Sequence, residues 1–142
     1  MKPANLRQRI MNDWAGTTTL PVLLCIFDEF VISPELYIDS KSSLTTFNNI
    51  VRRGVNNFSY EGFSKNILKS INYLLDPHIN VLSTNYEYID ESETFELTAE
   101  EILEASSDGF LVHPISGEQI FRYETDVVIT FSLKPDAITE GV

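Results

Sequence analysis

The spacing of hydrophobic positions changes several times along the chain, and each change predicts an element. Leu6, Ile10 and Trp14 recur every fourth residue, Pro3 suits a first helical turn and Gly16 is a natural stop. A short amphipathic helix over residues 4–15 follows. Val22-Leu23-Leu24-Cys25-Ile26-Phe27 is a continuous apolar run that resumes at Phe30-Val31-Ile32 after Asp28-Glu29. It predicts a buried strand over 20–32, with a bulge or tight turn at the two acids. Ser33-Pro34-Glu35 and Asp39-Ser40-Lys41-Ser42-Ser43 are turn chemistry. Apolar residues at 44, 47, 50, 51, 55 and 58 then fall at helical spacing. Thr45, Thr46, Val51 and Val55 are β-branched, and Asn48, Asn49, Asn56, Asn57 and Gly54 are poor helix formers. Helix is preferred over 44–58, and a strand pair turning near Arg53-Gly54 stays open beside it.

The next helix is clearer. Ser59 can cap it, Phe63, Ile67, Ile71 and Leu74 form one stripe, Leu68 and Leu75 widen it, and Asp76-Pro77 ends it. Residues 79–89 alternate, with Leu82, Thr84, Tyr86 and Tyr88 on one face, which predicts a half-buried strand. Beyond an acidic loop, Thr98-Ala99-Glu100-Glu101 is a capping-box pattern for a helix of about two turns to Ser106, with Gly109 as its stop. Phe110–His113 restarts a strand, which Pro114-Ile115-Ser116-Gly117 turns. Alternation from Phe121 through Tyr123, Thr125, Val127, Ile129 and Phe131 to Leu133 predicts one long antiparallel strand over 119–133. The expected fold is α+β: one domain over 1–133, an antiparallel sheet with a long amphipathic helix packed on one face, an acidic excursion at 90–118, and a flexible tail at 134–142.

Composition adds charge to this outline. The 142 residues are 43% hydrophobic and 22% charged, an ordinary globular balance, yet ten Lys and Arg face 21 Asp and Glu for a net charge of −11. Residues 1–70 hold eight bases and six acids, while residues 71–142 hold two bases and fifteen acids. The densest run has no base at all: Glu87, Asp90, Glu91, Glu93, Glu96, Glu100, Glu101, Glu104 and Asp108. These nine acids are the candidate acidic interface, and Arg52, Arg53, Lys65 and Lys69 the candidate basic one. Such asymmetry suits head-to-tail contact between copies, although an acidic run also serves simply as a solvated face. Free nucleic acid and anionic membranes would be repelled as main partners. One cysteine forms no internal disulfide, no apolar stretch reaches membrane-spanning length, and no signal-like region follows the basic start, so a soluble intracellular protein is expected.

Chemistry is sparse. His78 and His113 lie 35 residues apart and far from Cys25, so no metal-ligand spacing exists, and Asp90-Glu91-Ser92-Glu93 lacks the alternating ligands and glycine of a calcium loop. Cys25 reads as a structural thiol within an apolar run. No nucleophile elbow, phosphate loop or dinucleotide fingerprint is present. Neither an enzyme nor a cofactor is expected. The one catalytic alternative would need His113 in a pocket beside Glu124 or Asp126.

The order of elements resembles that of the tail-terminator and tail-completion proteins of long-tailed bacteriophages. The likeness runs over about 6–133. It rests on the Leu6-Arg7 start with Ile10, apolar strands, the stripe of Phe63, Ile67, Ile71 and Leu74, the strand with Tyr86 and Tyr88, an acidic excursion, and the closing Thr125-Asp126-Val127-Val128-Ile129-Thr130-Phe131. The 90–118 excursion is longer than the family's usual connector, and a helix at 44–58 departs from the family's strand and loop. The resemblance implies a virion subunit that assembles with itself as a homo-oligomer ring, a hexamer, joining tail tube to head-completion proteins. DNA would be passing cargo, no membrane would be involved, and part of the 87–108 acid would face a lumen or a neighbouring subunit. The competing expectation is a small acidic binding module, such as an inhibitor, immunity protein or DNA mimic, that occludes a basic partner.

Overall fold

A computed structural model describes residues 2–55, 60–91 and 93–138. The fold is α+β, with an antiparallel three-stranded sheet. Its elements in chain order are α1 (Pro3–Asp13), α2 (Thr19–Ile32), α3 (Leu44–Gly54), α4 (Tyr60–Leu75), β1 (Leu82–Asp90), β2 (Glu93–Leu97), α5 (Ala99–Asp108), β3 (Leu111–Val112), β4 (Gln119–Ile120) and β5 (Val127–Leu133). They gather into two compact units, residues 1–83 with 131–142, and residues 84–130. β1 and β5 each pass from one unit into the other.

The first unit is helical where the sequence pattern predicts strand. Residues 19–32 form α2, not a buried strand with a bulge. Its buried positions are Thr19, Val22, Leu23, Ile26, Phe27 and Phe30, spaced by three and four, so the apolar run wraps a helix that is buried along most of its girth. Asp28 and Glu29 cause no break, because they fall on its outer side. Asp28 accepts from Arg7 Nε at 3.1 Å and Nη2 at 3.3 Å, and Glu29 accepts from the Tyr37 hydroxyl at 3.0 Å. Around α2 pack α1 through Leu6 and Ile10, α3 through Phe47, Ile50 and Val51, and α4 through Ile67, Ile71 and Leu74. Phe30, Tyr37, Phe47 and Phe131 continue the core as a chain of edge-to-face rings, with centroids 5.1 to 6.2 Å apart.

Helix is the conformation at 44–54, so the strand pair near Arg53-Gly54 does not form. The Ser43 N–H donates to Thr46 Oγ1 at 3.2 Å to start α3, and burying three large side chains outweighs the poor propensity of its Asn and Thr residues. Gly54 is required for packing: a Cβ there would lie 2.3 Å from Cys25 Sγ. The capping expected of Ser59 lies outside the described residues. Chain beyond the last strand also stays attached, since the Lys134 N–H donates to the Val81 carbonyl at 2.9 Å and Ala137 and Ile138 pack on the core. A tail starting at 134 is therefore corrected as far as residue 138.

In the second unit, the expected acidic loop is a β-hairpin. β2 pairs antiparallel with β1, placing Tyr88 opposite Phe95 and Tyr86 opposite Leu97, with Asp90 and Glu93 as the last pair before the turn. Glu91 enters that turn at φ +46°. The predicted 119–133 strand is also divided. β4 pairs with β3, a tight 3-10 turn follows at Tyr123–Thr125, and β5 begins at Val127. Burying Tyr123 against Tyr88, Leu97, Ala105 and Leu111 draws the chain out of extended geometry. Phe121 and Ile129, expected on the inner face, are 65% and 51% exposed, while Thr130 is buried.

Candidate acidic interface

The 84–130 unit contains twelve Asp and Glu residues and a single base, Arg122, so the protein's entire net charge of −11 resides in it. The remainder carries nine of each sign. All nine predicted acidic residues fall inside this unit, and the structure brings in Glu118, Glu124 and Asp126 as well. Most of them stand on regular elements, while Glu91, Glu118 and Asp126 lie in turns or loops. Glu87 and Glu96 face each other directly across the hairpin, as do Asp90 and Glu93. Opposed carboxylates at such spacing repel, so the hairpin holds them together against their electrostatics.

Glu100, Glu101, Glu104 and Asp108 belong to α5. Thr98 Oγ1 accepts from the Glu101 N–H at 3.1 Å while Glu101 Oε1 accepts from the Thr98 N–H at 3.2 Å, the capping box that the sequence predicts. Gly109 closes the helix at φ +83°. Glu100 and Glu101 sit favourably on the first turn, whereas Asp108 places negative charge at the negative end of the helix dipole. Among the described residues, Glu100, Glu104, Asp108, Glu118 and Glu124 form no ion pair.

His113 fastens the hairpin to the rest of the unit. Its Nδ1 accepts from the backbone N–H groups of Ile115 and Ser116 at 3.1 and 3.2 Å, which leaves Nε2 as the protonated nitrogen, donating to Asp90 Oδ2 at 2.8 Å. Tyr88 and Phe95 meet the imidazole edge-on at 5.8 and 5.3 Å. Burial, with the charges of Asp90 and Asp126 adding to it, pushes the Tyr88 phenol above its ordinary range. The carboxylate on His113 is thus Asp90 rather than Glu124 or Asp126, and neither ring nitrogen is left to handle a substrate proton.

The basic candidates lie in the other unit. Arg52 and Arg53 occupy the last turn of α3, where they suit the helix dipole, and Arg53 reaches Glu29 at 3.9 Å. Lys65 and Lys69 are exposed one turn apart on α4. Cys25 donates its thiol proton to the Ile50 carbonyl at 3.5 Å; burial, then the charges of Asp28 and Glu29, push it above the ordinary thiol range. Such a thiol is a poor nucleophile. Among the described residues no three His, Cys, Asp and Glu side chains gather as a metal would need, and no helix is long and apolar enough to cross a membrane.

An apolar cleft of about 240 Å³ opens in the acidic unit, walled by Tyr86, Ile102, Tyr123, Val127 and Ile129, with Ser106 and Glu124 on its lining. The sequence conceals it because these residues come from four separate elements, and the pattern reads Tyr123, Val127 and Ile129 as one continuous strand face. No protein-family model matches the chain, and no curated protein or solved structure matches it significantly.

Proposed function

We propose that the chain is a non-catalytic binding module whose 84–130 unit engages a cationic partner. The observation that carries this reading is the confinement of the whole net charge to one unit built from a hairpin and a doubly capped helix. Acid in a mobile loop would serve solubility, whereas acid on hydrogen-bonded elements keeps a fixed pattern that a partner can match. Carboxylates in such excess over bases also attract cations over long range, raising the encounter rate of a basic partner and repelling nucleic acid and anionic membranes. The engagement of both His113 nitrogens and the raised Cys25 thiol support a role without chemistry.

A virion ring remains the second reading, because a ring could turn one uniformly acidic unit of each copy toward a channel that DNA must pass without adhering. It stands second because residues 19–32 are helix, which removes the apolar strands from the element order behind that resemblance.

Titration of labelled oligolysine, followed by fluorescence anisotropy, tests the leading reading. Binding that falls steeply with added salt is expected, and the combined change Glu100→Gln, Glu104→Gln and Asp108→Asn should weaken it several-fold. Glu35→Gln with Asp39→Asn, in the other unit, should leave it unchanged. No binding at low salt, or binding indifferent to the α5 changes, would overturn the proposal.

A further inference from the structure

The apolar cleft in the acidic unit specifies more than charge. It opens between Tyr86 of β1, Ile102 of α5, Tyr123 of the 3-10 turn and Val127 and Ile129 of β5, beside the buried cluster of Tyr88, Leu97, Ala105 and Leu111. Ile129 is 51% exposed there, a large aliphatic side chain in water on a unit dense with carboxylates. The volume of about 240 Å³ is below the ~300–1,000 Å³ usual for small-molecule sites and is the size of a single large side chain. No buried cation or cluster of polar side chains among the described residues lines it to orient a metabolite; Glu124, the charged residue on its lining, attracts cations and repels anions.

We infer that this cleft takes one aliphatic or aromatic side chain from an amphipathic segment of another protein, flanked by lysine or arginine that the surrounding carboxylates hold. The inference rests on the binding-module reading and names the segment that module recognises. Charge complementarity selects the occupant. An apolar anchor with acidic flanks is repelled by twelve carboxylates against one arginine, and the same unit of a second copy would bring twelve more carboxylates. A cationic amphipathic segment satisfies the cleft and the charge together, with the anchor as its hot spot and the flanks setting encounter.

Two labelled peptides with the same number of lysines separate the contributions: oligolysine, and a longer lysine–leucine peptide patterned as an amphipathic helix. The lysine–leucine peptide should bind about tenfold more tightly, the gain expected from burying one such side chain in part. Ile129→Ala should abolish most of that gain and leave oligolysine affinity unchanged. Leu103→Ala, which removes a still more exposed apolar side chain, on α5 and outside the cleft, should change neither. Glu124→Gln, a surface change that leaves the cleft wall intact, should weaken the lysine–leucine peptide more than oligolysine.

Equal affinity for both peptides, or a gain that survives Ile129→Ala, would overturn the anchor while leaving the acidic module standing. Failure of both peptides to bind would overturn the module itself. A protein that dimerises without peptide and loses the dimer on Ile129→Ala would show a second copy in the cleft and refute the assignment to a cationic partner.

Discussion

Replacing His113 tests whether the acidic hairpin is held as rigidly as the binding reading requires. Alanine there removes two bonds from the turn amides of Ile115 and Ser116, the bond to Asp90, and edge contacts with Tyr88 and Phe95. Each neutral bond contributes about 0.5–1.5 kcal/mol, and the bond to a carboxylate somewhat more before discounting. The Asp90 side chain is 42% exposed, so solvent screening reduces its share to about 1 kcal/mol. Lost ring contacts add about 0.5–1.5 kcal/mol. The total is roughly 3 kcal/mol within the 84–130 unit.

Trp14, the only tryptophan, belongs to the other unit, so its fluorescence would miss the effect. Amide hydrogen exchange at Ile115 and Ser116 reads it directly, and about a 100-fold acceleration is expected for His113→Ala. Two further substitutions divide the effect. His113→Asn places an oxygen near the Nδ1 position and should protect the turn amides while releasing Asp90. His113→Gln reaches toward Asp90 and should leave the turn amides exposed. Exchange in His113→Ala within about threefold of the native protein, or Asn protecting those amides no better than Ala, would refute the reasoning.

Three other outcomes follow from the same structure. Gly54→Ala should destabilise the helical unit by about 1–3 kcal/mol, because its Cβ meets Cys25 Sγ at 2.3 Å and the overlap exceeds the propensity gain of alanine. In denaturant titrations Cys25→Ala should restore most of that loss, and an additive double variant would contradict the contact. Iodoacetamide should alkylate Cys25 more slowly than a free cysteine at mildly alkaline pH; since its folded-state pKa is raised, the thiol's contribution to stability is complete below the ordinary thiol range and declines as pH rises through the raised value. Equal or faster alkylation would contradict that environment. Added monovalent salt should raise the thermal midpoint by screening repulsion among the twelve carboxylates, and a fall would show that attractive pairs dominate instead.

The α+β class, the capped helix after Thr98, the Tyr86/Tyr88 strand and the helix stripe of Ile67, Ile71 and Leu74 are legible from spacing alone, because each has a single period and a clear stop signal. Residues 19–32 are not. A continuous apolar run carries no period, and its length, with paired acids that a helix can turn outward, was the usable sign of helix. The hairpin at 90–93 is hidden by composition: Glu and Asp are poor strand formers, and the β-forming Thr94-Phe95 pair lies among them. The break at Tyr123–Thr125 has neither glycine nor proline to announce it, since burial of one tyrosine decides it. The acidic candidates were legible because charge counting needs no fold. The cleft was not, because its walls come from β1, α5, the 3-10 turn and β5 and meet only in the folded unit.

The most direct test of the central claim is a residue-by-residue map of backbone amide shifts as oligolysine is added at low salt. The account predicts perturbations confined to residues 84–130, strongest along the β1–β2 hairpin and α5, and reversed by added salt. Perturbations spread evenly over both units, or centred on Arg52, Arg53, Lys65 and Lys69 in the helical unit, would contradict it.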